Sequence, residues 1–240
     1  MSKTTESTLS FDAFDVSLIR STRRRNLSLE ITRDGVFARA PMRMSRKAII
    51  EFIQKKHNWI NKHLGTLPPA PEQLLVTEMD SLLLLGQQIP FDIRADQRGK
   101  PLLSDYGLIL PVLKSHLPLE VSAKTKLIKW YKSAALAQIQ HRVDFYSKEM
   151  AVPKSKINRV KVRDYKRRWG SCDAKGILSF NWRIIMAPPE MLDYVVVHEL
   201  AHCHEFNHSK RFWSIVEQQI PDWKHRSNWF RTNGGTLYQF

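Results

Sequence analysis

One stretch constrains this chain more than any other: the residues from Pro188-Pro189 on, which read PPEMLDYVVVHELAHCHEFNHSKRFW. Proline suits a first helical turn, where its missing N–H would have no partner, and the following residues are apolar nearly all round, as in a buried helix. Within that run His198 and His202 are four apart. At about 100° per residue they lie almost in line, with Glu199 roughly 60° from His202. Two imidazoles one turn apart can grip one zinc ion at about 2.0–2.1 Å each, and the adjacent carboxylate can reach a water at the open position of the metal. Glu199 is therefore the candidate general base.

A third ligand is needed, and His208 stands six residues beyond His202, where the chain leaves the helix and can fold back. Three histidines plus water complete a tetrahedron. The metzincin pattern places a glycine in that turn; here Glu205 occupies the matching position, which argues against a true metzincin and makes Asn207 the expected left-handed residue. The alternative third ligand is Glu217, on a helix that Ser209 can cap and Pro221 ends, in the manner of two-histidine, one-glutamate sites. Cys203 and His204 point off the metal line and are read as packing or surface residues, whereas Glu205 is a candidate partner for a ligand histidine. Closed structural zinc sites favour cysteine-rich sets of four, so histidines with an adjacent glutamate favour catalysis.

The rest of the chain reads as α+β. Residues 16–40 alternate as short strands do, around a turn at Asp34-Gly35. Ser45 suits the N-cap of one helix in which Ile49, Phe52, Ile53, Ile60 and Leu64 recur at helical spacing until Gly65 ends it. The segment 66–71, Thr-Leu-Pro-Pro-Ala-Pro, is an extended linker, and strand-like runs follow at 82–85, 89–93 and 108–112. Between Pro118 and Pro153 a stripe of Ile128, Tyr131, Ala135, Ile139, Val143, Tyr146 and Met150 predicts a long helix packed on one face. Alternation at Val160 and Val162, and again at Leu178, Phe180, Trp182 and Ile184, predicts two strands, the second over 177–185. No internal repeat is visible. The expected organisation is a small basic region at 11–65, a linker and β-rich middle at 66–118, and a catalytic region at 119–240 with its active helix at 189–206.

Basic residues exceed acidic ones by 15, with +7 in residues 1–70, +7 in 156–183, +2 in 71–155 and −1 in 184–240. Such an excess favours nucleic acid, nucleotides or acidic surfaces as partners. The second block lies in the loop between the two predicted strands. There Arg167 and Arg168 are candidates to contact an anionic group of a substrate, with Asn181 on the next strand, while Trp169 is expected in the core. Strand 177–185 would offer an edge to which a peptide could add. A peptidase needs such an edge, and a nucleotide phosphohydrolase needs the positive charge. A nucleic-acid-binding module with a structural metal would keep its binding without Glu199. Two cysteines are too few for a disulfide framework, and neither a secretory signal nor an apolar run long enough to cross a bilayer is evident, so a cytoplasmic setting is expected.

The stretch RWGSCDAKGILSFNWRIIMAPPEMLDYVVVHELAHCHEFNHSKRFW resembles the YgjP-like family of metal-dependent hydrolases, also described as a metallopeptidase domain related to SprT-like proteases. RSTRRRNLSLEITRDGVFARAP and KKHNWINKHL resemble its N-terminal portion, so the likeness extends over roughly residues 16–232 and is weakest at 66–118. The resemblance implies a zincin-like fold, with His198, His202 and His208 as zinc ligands and Glu199 as base, but does not settle the substrate; a peptide or protein is the first expectation and a nucleoside triphosphate or other phosphoanhydride the alternative. Nucleotide pyrophosphohydrolase activity has also been attached to the family.

Overall fold

A computed structural model describes residues 4–32, 35–66 and 74–240, the side chains at 32, 65 and 66 excepted. The chain divides into two compact units, Met1–Ala70 and Pro71–Phe240. Asp34 and most of the expected linker, 67–71, lie outside the described residues.

In the first unit, strands β1 (Thr4–Phe11), β2 (Phe14–Ser21), β3 (Ser28–Thr32) and β4 (Gly35–Pro41) form a sheet of order β1-β2-β4-β3. Only the central β2–β4 pair is parallel. Val16, Leu18, Val36, Ala38 and Ala40 alternate onto one face and share a core with Ile49, Ile53 and Ile60. Those isoleucines come from two helices, α1 (Arg46–Lys55) and α2 (His57–Thr66), where the sequence predicts one. Ser45 caps α1 as expected, its Oγ accepting from Ala48 N–H at 3.2 Å. The break at Lys56 keeps the same face buried on both sides, so the apolar spacing runs through it, and α2 continues past Gly65.

The second unit opens with a sheet of the same plan. Strands β5 (Ser81–Leu84), β6 (Gln87–Ala95), β7 (Leu102–Ser104) and β8 (Gly107–Val112) take the order β5-β6-β8-β7, again with only the central pair parallel. In each sheet a glycine at positive φ opens the fourth strand, Gly35 (φ 123°) and Gly107 (φ 116°), and the parallel pairing starts at the next residue, Val16 opposite Val36 and Phe91 opposite Leu108. The topology is thus repeated where the sequence shows no repeat, because pairing order depends on turns and alternation rather than on residue identity.

Helix α3 (Leu119–Glu149) follows, and its buried residues, Ala123, Leu127, Tyr131, Ala135, Ile139 and Val143, are each four apart. Four residues turn about 40° past a full circle, so this stripe winds roughly 200° round the helix. One helix can therefore pack in succession on β8, on a 3₁₀ segment Trp182–Met186, on β9 (Arg159–Arg163), and on α4 (Pro189–Ala201), the helix that bears His198 and Glu199. The β5–β6 turn also bears on α4. Leu85 and Gly86 sit at positive φ and donate to the carbonyls of Ile185 and Met186, and Gly86 lies so close to Pro188, the residue preceding α4, that a Cβ there would fall 2.9 Å from its Cα. The residues of 76–112 that face inward thus belong to the same core as those of the catalytic region.

The last sheet has the order β10-β11-β9, with β10 (Gly170–Cys172) antiparallel and β9 parallel to β11 (Ile177–Asn181). Two expectations are corrected. The second strand stops at Asn181, whose Oδ1 accepts from Arg183 N–H and caps the 3₁₀ segment 182–186, and β11 is the central strand rather than an edge. Trp182, Ile184 and Met186 are buried, but so are Arg183 and Ile185, so the period-two pattern there came from a short helix buried on all sides. Helices α5 (Lys210–Gln219) and α6 (Trp223–Asn233) close the unit. Among the described residues no helix is long and apolar enough to cross a membrane.

Candidate metal centre

Helix α4 starts at Pro189, is buried over nine of its thirteen residues, and ends at Ala201, with His202 as its C-cap. It is shorter than the expected 189–206. Cys203, His204 and Glu205 turn back instead, with their N–H groups on the carbonyls of Leu200 and Ala201. That turn brings His208 round to the helix without a left-handed residue: among the described residues the only non-glycine positive φ values belong to Leu85, Asp96 and Ala151, so Asn207 does not play the expected part. Ser209 then caps α5, its Oγ accepting from Phe212 N–H.

The three histidines converge. Their candidate ligand atoms all lie within 4.8 Å of one another, and His198 Nε2 is 3.1 Å from His208 Nε2. Nitrogens bound to one tetrahedral zinc stand about 3.3–3.4 Å apart, so this pair already has the spacing of a ligand pair. Fully buried Phe212 underlies all three rings, at centroid distances of 5.0, 4.6 and 4.7 Å from His198, His202 and His208. Trp213 flanks His198 and His208, each at 5.7 Å, and stacks on Trp223 at 3.9 Å. His202 Nδ1 donates to the Glu205 backbone carbonyl at 3.3 Å, which leaves Nε2 as the lone-pair nitrogen; the carbonyl, not the carboxylate, is the partner. His204 Nε2 donates to the Met150 carbonyl, away from the cluster. Glu217, the alternative ligand, is exposed on α5 and outside the cluster.

Electrostatics suit a cation. Burial and the two neighbouring imidazoles hold His198 down at about 3, so it is a neutral ring with a free lone pair. Glu199 is 5% exposed, and burial pushes its carboxyl up to about 8 against the opposing pull of Arg168 and of a hydrogen bond from Cys172 N–H. Two buried polar atoms of the motif, Glu199 Oε2 and His198 Nδ1, have no hydrogen-bond partner. Nδ1 is not the nitrogen that faces His208, so it is the unpaired carboxylate oxygen, at a cost of about 1–3 kcal/mol, that suits a site made for a ligand and not a packed interior. Three imidazoles with a buried carboxylate beside them fit a divalent metal such as zinc.

Strand β10 brings the rest of the chain to Glu199. A Cβ on Gly170 would fall 2.4 Å from Glu199 Oε1, so only glycine lets the strand pass. The loop before it carries Arg167 and Arg168, both exposed, with the Arg168 guanidinium 4.9 Å over the Tyr165 ring. Asn181 is fully buried and does not join them: its amide donates to the carbonyl of Tyr165 and the hydroxyl of Tyr238, and Arg183 pairs with Asp164 at the start of the same loop. Trp169 packs between Phe230 and Tyr238. Sequence reasoning did not single out Tyr194, which meets His198 edge-on at 6.0 Å, although it stands one turn before His198 in the same line. Gly170, and Phe212 as a floor beneath the rings, carried no local signal.

No curated protein matches the chain. The protein family described as YgjP-like, metallopeptidase domain, matches it over residues 25–233, a span that takes in the histidine cluster, Glu199, the second basic block and the first from residue 25 on. The chain belongs to this family of metal-dependent hydrolases.

Proposed function

We propose that the protein is a zinc peptidase with His198, His202 and His208 as ligands and Glu199 as general base. The observation that carries this reading is the convergence of three imidazoles beside a buried, partly unpartnered carboxylate. Bound there, zinc supplies Lewis acidity and makes water a nucleophile near neutral pH. Glu199 takes the proton of the attacking water and returns it to the leaving amine. Burial raises its proton affinity above that of an ordinary carboxylate and a bound cation would pull it back down, so it could both accept and release a proton.

Backbone geometry supports a peptide as the substrate. Trp169 C=O accepts from Asn181 N–H and Asp173 N–H donates to Ile177 C=O, so in this antiparallel ladder the odd residues bond to β11 while Gly170 and Cys172 turn their backbone groups away from it, the Cys172 N–H to Glu199 and the others to the free edge. That edge runs past Glu199. An extended substrate adding to β10, not to β11, would lie with its scissile bond near the carboxylate. Arg167 and Arg168 are the proposed substrate contacts, and Asn181 acts by holding their loop.

The test compares wild type with Glu199→Gln on a peptide library and a nucleotide panel, with bound metal measured in both. The expected result is retained metal and a loss of about 10²–10⁴-fold on peptides. A loss confined to nucleotides would move the substrate to a phosphoanhydride, for which Arg168 beside Glu199 is the favouring feature. Unchanged turnover would refute the role of Glu199.

A further inference from the structure

The two cysteines of this chain are 31 positions apart and come from different elements, yet they meet. Cys172 ends β10, and Cys203 lies in the turn just after α4. Both line one cavity of about 260 Å³, together with Ser155, Lys156, Lys175 and Phe206, and the neighbouring Cys203 thiol, with burial, pushes the Cys172 thiol up. Neither has a covalent partner. Cys172 is half-buried and Cys203 is 5% exposed. Lys156 reaches into the same place, its Nζ donating to the Cys203 carbonyl at 2.6 Å. Two free thiols lining the same open, lysine-lined cavity are the arrangement in which one sulfur, once oxidised, meets the other before it meets solvent.

We propose that Cys172 and Cys203 form a peroxide-responsive dithiol that closes to an intramolecular disulfide. One thiolate attacks hydrogen peroxide, forming an S–O bond and breaking the O–O bond; the departing hydroxide takes up the thiol proton as water. The second thiolate then attacks the sulfenic sulfur, forming the S–S bond and expelling the second water. Two thiols are oxidised and one peroxide is reduced, with no other reactant. The bond would tie the end of β10 to the turn after α4, that is, the strand whose N–H holds Glu199 to the residue following His202. In a reducing compartment it would be transient and reversed by dithiol reductants.

The test is chemical and independent of hydrolase activity. Full-length protein, with zinc and with chelator, is treated with hydrogen peroxide in the presence of glutathione as an internal thiol control, alkylated, and mapped after trypsin. The expected product is a monomer in which peptide 169–175 is cross-linked to peptide 184–210 and both thiols return on reduction. In Cys172→Ser and Cys203→Ser the cross-link disappears and the remaining cysteine is recovered as a mixed disulfide with glutathione. Three results would overturn the proposal: both thiols still alkylated when the glutathione has been oxidised, wild-type Cys172 over-oxidised with Cys203 intact, or disulfides formed only between chains.

Discussion

Gly170 is the position where the relation between strand β10 and Glu199 can be weighed directly. A methyl at residue 170 would lie 2.4 Å from Glu199 Oε1, 2.7 Å from Cγ and 2.8 Å from Cδ, and Glu199 is only 5% exposed, so it is hemmed in on its other sides. Forcing one methyl into such a contact costs about 1–3 kcal/mol. Gly170 does not have a positive φ, so alanine suits the backbone and restricts the unfolded chain, which stabilises by about 0.4–1 kcal/mol. Gly170→Ala should therefore destabilise the wild-type background by a net amount of roughly 0–2.5 kcal/mol. In a Glu199→Ala background the clash has no partner, and the same substitution should become neutral or stabilising by up to about 1 kcal/mol. Urea unfolding of the four proteins in chelator gives the coupling energy, with an expected value of about 1–3 kcal/mol. The argument fails if Gly170→Ala has the same effect in both backgrounds to within about 0.5 kcal/mol, the additivity of independent sites. Turnover should fall as well, since displacing a catalytic group by about 1 Å can cost on the order of 10²-fold.

Phe212→Ala should cost about 3–5 kcal/mol and weaken zinc binding, because the three rings lose the surface they share; unaltered zinc affinity by calorimetry would refute that role. His208→Ala should lose most of the zinc affinity while Glu217→Ala and His204→Ala leave it nearly intact, and a large loss in Glu217→Ala alone would transfer the third ligand to α5. Stability in chelator should pass through a maximum near the ordinary histidine range. His198 titrates near 3 in the fold and near 6.5 unfolded, so below 6.5 the unfolded chain binds a proton the fold refuses, and stability falls as pH drops towards 3. Glu199, raised from 4.5 to about 8, holds a proton that the unfolded chain releases, so its contribution is lost as pH rises from 4.5 to 8. Each slope is about 1.4 kcal/mol per pH unit; the two oppose each other between 4.5 and 6.5, where His202, also held below its ordinary value by burial, adds to the slope of His198. The alkaline limb should vanish in Glu199→Gln, and its persistence there in urea titrations would show that another group causes it.

What the sequence revealed depends on how local each feature is. Ser45 and Ser209 were legible as caps because a cap is a relation over three residues. Helix α3 was legible because 31 residues leave a long apolar stripe, although the winding of that stripe, which lets one helix serve several partners, follows only from its four-residue spacing. Less local features escaped. The break at Lys56 keeps one face buried on both sides, and residues 182–186 bury every side chain, so alternation there carried no information about a strand. Arg183 illustrates the difficulty: by pattern it is the exposed member of a strand, whereas its guanidinium is buried between the Trp182 and Tyr238 rings and paired with Asp164.

The same distinction divides the site. His198, His202 and His208 fall within eleven residues, so their meeting needs only a helix end and a turn, and spacing alone could anticipate it. The environment that decides what those residues do comes from elsewhere in the chain: Gly170 and the Cys172 N–H against Glu199, Phe212 beneath the rings, and the Asn181 amide fixing the arginine loop. Asn181 was misread for a physical reason. A polar residue in an apolar run suggests an opening towards a ligand, but a buried amide with its donors and acceptor filled serves equally well as an internal clamp, and only its partners distinguish the two. A ligand set can therefore be inferred from sequence well before its proton affinities can, because spacing is a property of the local chain, whereas burial is a property of everything packed around it.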